Sequence, residues 1–177
     1  LISEIPFNLI TGGGWLYPFH QNVLWTFLIA IVCMLGIDKV KGSSRHTAAK
    51  AILITLIVFL GWLVGTVTFV DYYGFGVLTV LTFYAFHQKK WWSYLAQACI
   101  LYYLNVELLG GYYFEVNLFG HTLEVVQQGL ALLALPLIWL YNGERGYHSK
   151  WWQYFCYAFY PLHMVVLYLI FWFCFVR

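Results

Sequence analysis

Long apolar runs recur along this chain, and nearly all of its lysines and arginines fall in the gaps between them. A segment that leaves water must satisfy its own backbone, so such runs form helices or the strands of a closed barrel. Barrel strands alternate apolar and polar residues, whereas these runs are continuously apolar. Crossing about 30 Å of hydrocarbon takes roughly 20 helical residues. The runs predict spans at 22–37, 50–70, 72–86, 91–109, 124–142 and 151–176, an all-α, polytopic integral membrane bundle of about six helices in one domain, 1–177. With 63% hydrophobic and 9% charged residues, the chain has too few charges to clothe a water-soluble surface.

Lys39, Lys41, Arg45 and Lys50 occupy the first gap, Lys89 and Lys90 the third, and Arg145 and Lys150 the fifth, which puts eight of the nine basic residues on one side. The positive-inside rule makes that side cytoplasmic, with Arg177 the exception. The other side then carries five of the seven acidic residues, Glu4, Asp71, Glu107, Glu115 and Glu124. A formal charge of +2 without a basic stripe argues against a nucleic-acid partner and leaves the lipid bilayer as the certain one.

Only 36 residues separate Lys50 from His87, so two crossings and a turn must share them. The turn "DYYGFG" is therefore short, and Asp71 is expected at or slightly below the outer interface, with Gly74 and Gly76 permitting the reversal. An ionisable group at that depth is a functional candidate, although an aspartate could also cap the following helix. His20, Gln21 and Asn22 form a polar mouth to the first span, where capping is again the plainer alternative.

"FYPLHM" at 159–164 places Tyr160, Pro161 and His163 inside the last span. His163 lies thirteen residues beyond Lys150, about 20 Å up a helix. Tyr160 shares its face one turn below. Pro161 cannot donate to the carbonyl of Tyr157, which frees that oxygen and favours a kink. A neutral imidazole at this depth serves as donor, acceptor or proton carrier, or as a packing group bonded to a neighbouring span. These residues together predict an outward-facing polar pocket built from His20, Gln21, Asp71, Tyr160 and His163.

Other segments carry less. "KWWSY" at 90–94 and "KWWQY" at 150–154 read as headgroup anchors, Lys beside indole. His121 and Glu124 stand at i, i+3 without a third metal ligand. Cys33, Cys99, Cys156 and Cys174 fall within spans and read as packing residues. The opening "LISEIPFNLI" has no initiator Met, basic n-region or cleavage pattern, so it is expected to be the interior of a longer protein.

"ISEIPF" at 2–7, "HQNVLWTFLIAI" at 20–31, "DYYGFGVL" at 71–78 and "FYPLHMVVLYLI" at 159–170, in this order and spacing, resemble the TraX family of bacterial membrane proteins. The resemblance covers essentially the whole chain. Family members usually have further spans upstream, so it implies a fragment lacking the N-terminal spans. It also implies a multi-pass protein of the bacterial inner membrane that transfers an acetyl or acyl group. The donor would be acetyl-CoA and the acceptor an amine or hydroxyl on a protein, glycan or lipid, the namesake acceptor being F-type pilin.

On that reading His163 or His20 is the base, Asp71 orients the imidazole, and Tyr160 or Gln21 donates to the developing oxyanion, with Asn22 and Glu4 contacting substrate. Acetyl-CoA is cytosolic, whereas the polar set is expected toward the outer face, so the donor must thread the bundle or pass its acyl group to a relay residue. A small proton-coupled transporter or a noncatalytic assembly subunit would use similar residues.

Overall fold

The structure is a computed structural model that describes residues 3–11, 14, 15, 17–118, 121–144, 146, 147 and 149–176. Arg145 and Arg177 of the charge pattern lie outside the described residues. A short helix α1 (Glu4–Thr11) precedes α2 (Val23–Lys41), α3 (Thr47–Val67) and α4 (Tyr73–Ala85). Helix α5 (Trp91–Tyr102) continues as a π-helix over Tyr103–Leu109. A hairpin follows, β1 (Tyr113–Leu118) and β2 (His121–Val126), then a 3₁₀ segment, Gln127–Leu133, that runs into α6 (Ala134–Leu140). The long α7 (Lys150–Phe171) ends in a π-helical turn, Trp172–Val176.

Val23–Lys41, Thr47–Val67 and Lys150–Cys174 are long and apolar enough to cross a membrane, which makes this a membrane protein with three such helices among the described residues. Helix α4, at 13 residues, rises about 20 Å. The expected span at 124–142 is not one helix. Its first residues belong to β2, which pairs antiparallel with β1 from Tyr113↔Val126 to Leu118↔His121. Val125 and Val126 favour extended backbone, and the polar Gln127 and Gln128 with Gly129 interrupt the apolar run before α6 begins. The chain is therefore mostly helical rather than all-α.

Helices α2, α3 and α4 form the tight part of the bundle, around Ala30, Cys33, Ile37, Val77 and Leu81. Glycines set the spacing. A Cβ on Gly61 would stand 2.5 Å from Cys33 Sγ, and one on Gly74 would stand 2.2 Å from the Trp62 carbonyl oxygen. Gly61 and Gly65 are four apart on one face of α3, so they let backbones approach as small residues do in lipid. Gly74 and Gly76 do not make the reversal, contrary to the sequence expectation. The left-handed positions are Phe69, Tyr72 and Tyr73, at φ of 53°, 61° and 51°, while both glycines lie inside α4 where contact is closest.

One end of the bundle collects the basic residues. Lys50 Nζ donates to the Lys41 carbonyl at 2.9 Å, and Lys41 Nζ lies 4.7 Å from the Tyr84 ring centre. Tyr84 donates to Asp38, and Lys89 Nζ reaches the Tyr141 carbonyl at 3.0 Å. The first residues of α2 and the last of α3 meet at the opposite end, where Gln21 N–H donates to the Phe69 carbonyl at 2.8 Å.

Gly74→Ala should destabilise the protein by about 1–3 kcal/mol through overpacking, whereas Gly14→Ala, whose added Cβ meets nothing within 4 Å, should be neutral. Thermal unfolding in lipid measures both.

Candidate functional site

The end opposite the lysines is built around the N-terminus of α2. Asn22 takes extended backbone and its Oδ1 accepts from Leu24 N–H at 2.8 Å, capping the helix. Its Nδ2 donates to Ser3 Oγ at 3.1 Å, and the residue is fully buried. Glu4, at the start of α1, accepts from Trp25 Nε1 at 3.1 Å and from Asn22 N–H at 3.4 Å. Asn22 and Glu4 thus tie α1 to α2. Of the three polar residues at the mouth, the capping role belongs to Asn22.

His20 and Asp71 meet across the bundle, Nε2 to Oδ1, at 3.4 Å, and both stay partly open at 34% and 25% side-chain exposure. The Phe7 ring stacks on the imidazole with centroids 5.3 Å apart. Asp71 is positioned from three directions. Its carbonyl accepts from Thr26 Oγ1 at 2.9 Å, and Gln21 pairs with the adjacent Val70 as an isolated parallel bridge. The left-handed residues at 69, 72 and 73 flank it in the turn. Backbone held in such conformations costs on the order of 1–3 kcal/mol per residue and gathers at functional sites. Asp71 does not cap α4, whose N-cap is Tyr72 without a side-chain cap bond.

Burial pushes the Asp71 carboxyl above the usual carboxylate range, and the neighbouring His20 pulls it part of the way back. Gln21 turns its side chain to the Pro18 carbonyl at 3.1 Å.

Helix α7 brings Tyr160 to the same place. Its phenol meets the Val23 backbone and lies within electrostatic reach of Asp71 and Glu4. His163 stands one turn further along. Its Nδ1 lies 3.0 Å from the Phe159 carbonyl of its own helix, and its ring stacks on Phe159 and meets the Tyr160 ring edge-on, both with centroids 5.3 Å apart. The structure therefore brings Glu4, His20, Gln21, Asn22, Asp71 and Tyr160 to one end, with His163 touching the Tyr160 ring. Phe7, Trp25 and Thr26 complete the site and were not singled out from sequence. Thr26 carries a readable signal, a polar residue one turn into an otherwise apolar helix start.

This is a helical membrane protein with a carboxylate–imidazole pair and a phenol gathered at the end of its bundle away from the lysines. The chain matches the family model described as TraX protein over residues 1–171 and belongs to the TraX family. No curated protein and no solved structure matches it.

The folded protein holds the Asp71 proton more tightly than the unfolded chain does. The stability this contributes is present below the ordinary aspartate range and is lost as pH rises through the raised value. Asp71→Asn should flatten that slope, read as unfolding midpoint against pH from acid to neutral.

Proposed function

We propose that this protein is a multi-pass acetyltransferase of the bacterial inner membrane, moving an acetyl group from acetyl-CoA to an amine or hydroxyl acceptor. The observation that carries the reading is the His20–Asp71 pair at 3.4 Å, open to the outside and backed by Phe7. The family's namesake role in pilin acetylation supports the choice of acetyl transfer. The basic end, with Lys41, Lys50 and Lys89, is taken as cytoplasmic because lysine and arginine are retained on that side.

In this mechanism Asp71 Oδ1 accepts the proton on His20 Nε2, which fixes the tautomer and leaves the Nδ1 lone pair as base. As the acceptor nitrogen or oxygen attacks the thioester carbonyl, Nδ1 takes its proton. The tetrahedral oxyanion receives a hydrogen bond from the Tyr160 phenol, with Gln21 as a further donor. Collapse breaks the C–S bond, and the thiolate takes from the imidazolium the proton that came from the acceptor and leaves as coenzyme A. His163 acts through Tyr160, whose ring it touches edge-on. The donor's phosphates suit the basic end, so its acetyl group must travel the length of α4, about 20 Å, along the bundle or through a relay residue.

The test uses purified protein in lipid with acetyl-labelled coenzyme A and candidate amine and hydroxyl acceptors. His20→Ala and Asp71→Asn should each lower transfer by about 10²–10⁴-fold, and His163→Ala by less, with all three folded. Loss of transfer in His163→Ala alone would move the base to His163. No transfer by the folded parent, with substrate-dependent proton flux in vesicles, would establish the transporter instead.

A further inference from the structure

The His20 imidazole is held at two places and free at a third. Its Nε2 lies 3.4 Å from Asp71 Oδ1, and one face of its ring rests on the Phe7 ring, with centroids 5.3 Å apart and planes 23° from parallel. Among the described residues Nδ1 has no hydrogen-bond or ion-pair partner.

The two contacts restrain different things. A carboxylate on Nε2 decides which nitrogen carries the proton. It does little to stop the ring from turning, because the outer torsion of a histidine side chain is broad and Nε2 lies nearer than Nδ1 to the Cβ–Cγ axis. A small rotation therefore swings Nδ1 further than it moves Nε2. At 3.4 Å the contact is also longer than the usual N–H···O range, about 2.7–3.2 Å, so it tolerates that rotation. A flat ring against the face does not, since turning the imidazole drives one edge into the Phe7 ring and lifts the other away.

Phe7 can act as such a wall because it is itself fixed. It is 6% exposed and stands three residues after Glu4, on the same face of α1. Ahead of it, Glu4 accepts from Trp25 and Asn22, and Ser3 accepts from Asn22 Nδ2. Behind it, the buried Asn8 donates to the Trp15 carbonyl at 3.3 Å, and Thr11 Oγ1 donates to the carbonyl of Phe7 at 2.9 Å. The apolar neighbours Ile5 and Ile10 are exposed, so the buried face of α1 is the one that meets the imidazole.

From these contacts we propose that Phe7 is a positioning residue: its ring fixes the plane of the His20 imidazole, and with it the direction of the Nδ1 lone pair, while Asp71 fixes the tautomer. The inference deepens the acetyltransferase reading and rests on it for what Nδ1 does; the restraint on the ring exists without any substrate. General-base catalysis needs the lone pair aimed along the acceptor's N–H or O–H, and a misplacement of about 1 Å costs on the order of 10²-fold in rate. Phe7 also closes one face of the imidazole, so the acceptor reaches Nδ1 from the open side.

Two measurements on the full chain in lipid nanodiscs separate the restraint from the reaction. The first, with no thioester present, reads the His20 ring by solid-state NMR of protein carrying isotope-labelled histidine, the signals being assigned by their loss in His20→Asn. On a scale where about 0.85 is rigid and below about 0.6 is mobile, the ring should be rigid in the parent and in Phe7→Tyr, which keep a flat face. It should be mobile in Phe7→Leu, which keeps apolar bulk without one; Phe7→Met repeats the comparison should Phe7→Leu not fold. The second measurement is acetyl transfer, in which Phe7→Leu should lower kcat by about 10–10²-fold with KM near the parent's, while Phe7→Tyr stays near parental. A mobile ring in the parent would overturn the inference with no variant needed. So would a rigid ring in folded Phe7→Leu, or equal loss in Phe7→Leu and Phe7→Tyr, which would make Phe7 a packing residue only. A mobile ring with parental kcat would sever the restraint from the reaction and overturn it as well. A parent that transfers nothing, with ring order that still follows Phe7, would refute the transferase reading and leave the restraint standing.

Discussion

Close backbone contact between α3 and α4 is the constraint from which the rest of this structure follows. With hydrogen where other residues carry a Cβ, Gly74 rests against the Trp62 carbonyl and Gly65 against Gly74 itself. The five residues Thr68–Tyr72 turn the chain between these two closely packed helices. Phe69 and Tyr72 in the turn, and Tyr73 at the start of α4, adopt left-handed backbone. Asp71 sits in this turn with its carboxylate 3.4 Å from His20, directly beside the close contacts between the last turns of α3 and the first turn of α4. Lipid offers no hydrophobic force between helices, so such contact and a few hydrogen bonds carry the association.

Much of this was legible in the sequence because the governing physics is one-dimensional. The apolar runs placed α2, α3 and α4 within a few residues. Helix α2 continues past the predicted 37 to Lys41, where Asp38 and Lys41 find partners in Tyr84. Hydropathy could not anticipate that, because it registers charge as an ending and does not see a partner on another helix. The bridge from His20 to Asp71, separated by fifty residues in sequence, was expected only as shared depth; register across helices decided which atoms meet. His163 looked central for the same reason, depth, yet its ring nitrogen turns back to its own helix.

The hairpin was missed although its signal was present. "YFEVNL" and "HTLEVV" alternate apolar and polar side chains at a period of two, which is a strand pattern. The apolar run just beyond it drew the span boundary back to residue 124 and absorbed half of the hairpin. The reversal glycines were misassigned for a related reason. Glycine beside a turn suggests conformational freedom, but at Gly74 and Gly76 the useful property is the missing side chain.

Helix α7 supplies Tyr160 to the site while burying none of its residues; Trp151, near its start, is 86% exposed. It meets the protein chiefly through α1 and is otherwise coated by whatever surrounds it. The phenol's place beside Asp71 is then a property of protein and solvent together. Lateral pressure, bilayer thickness and detergent all bear directly on the tilt of α7, and through it on the phenol of the site. The surrounding lipid thus acts on this site as a structural component, and changing it is chemically equivalent to a mutation.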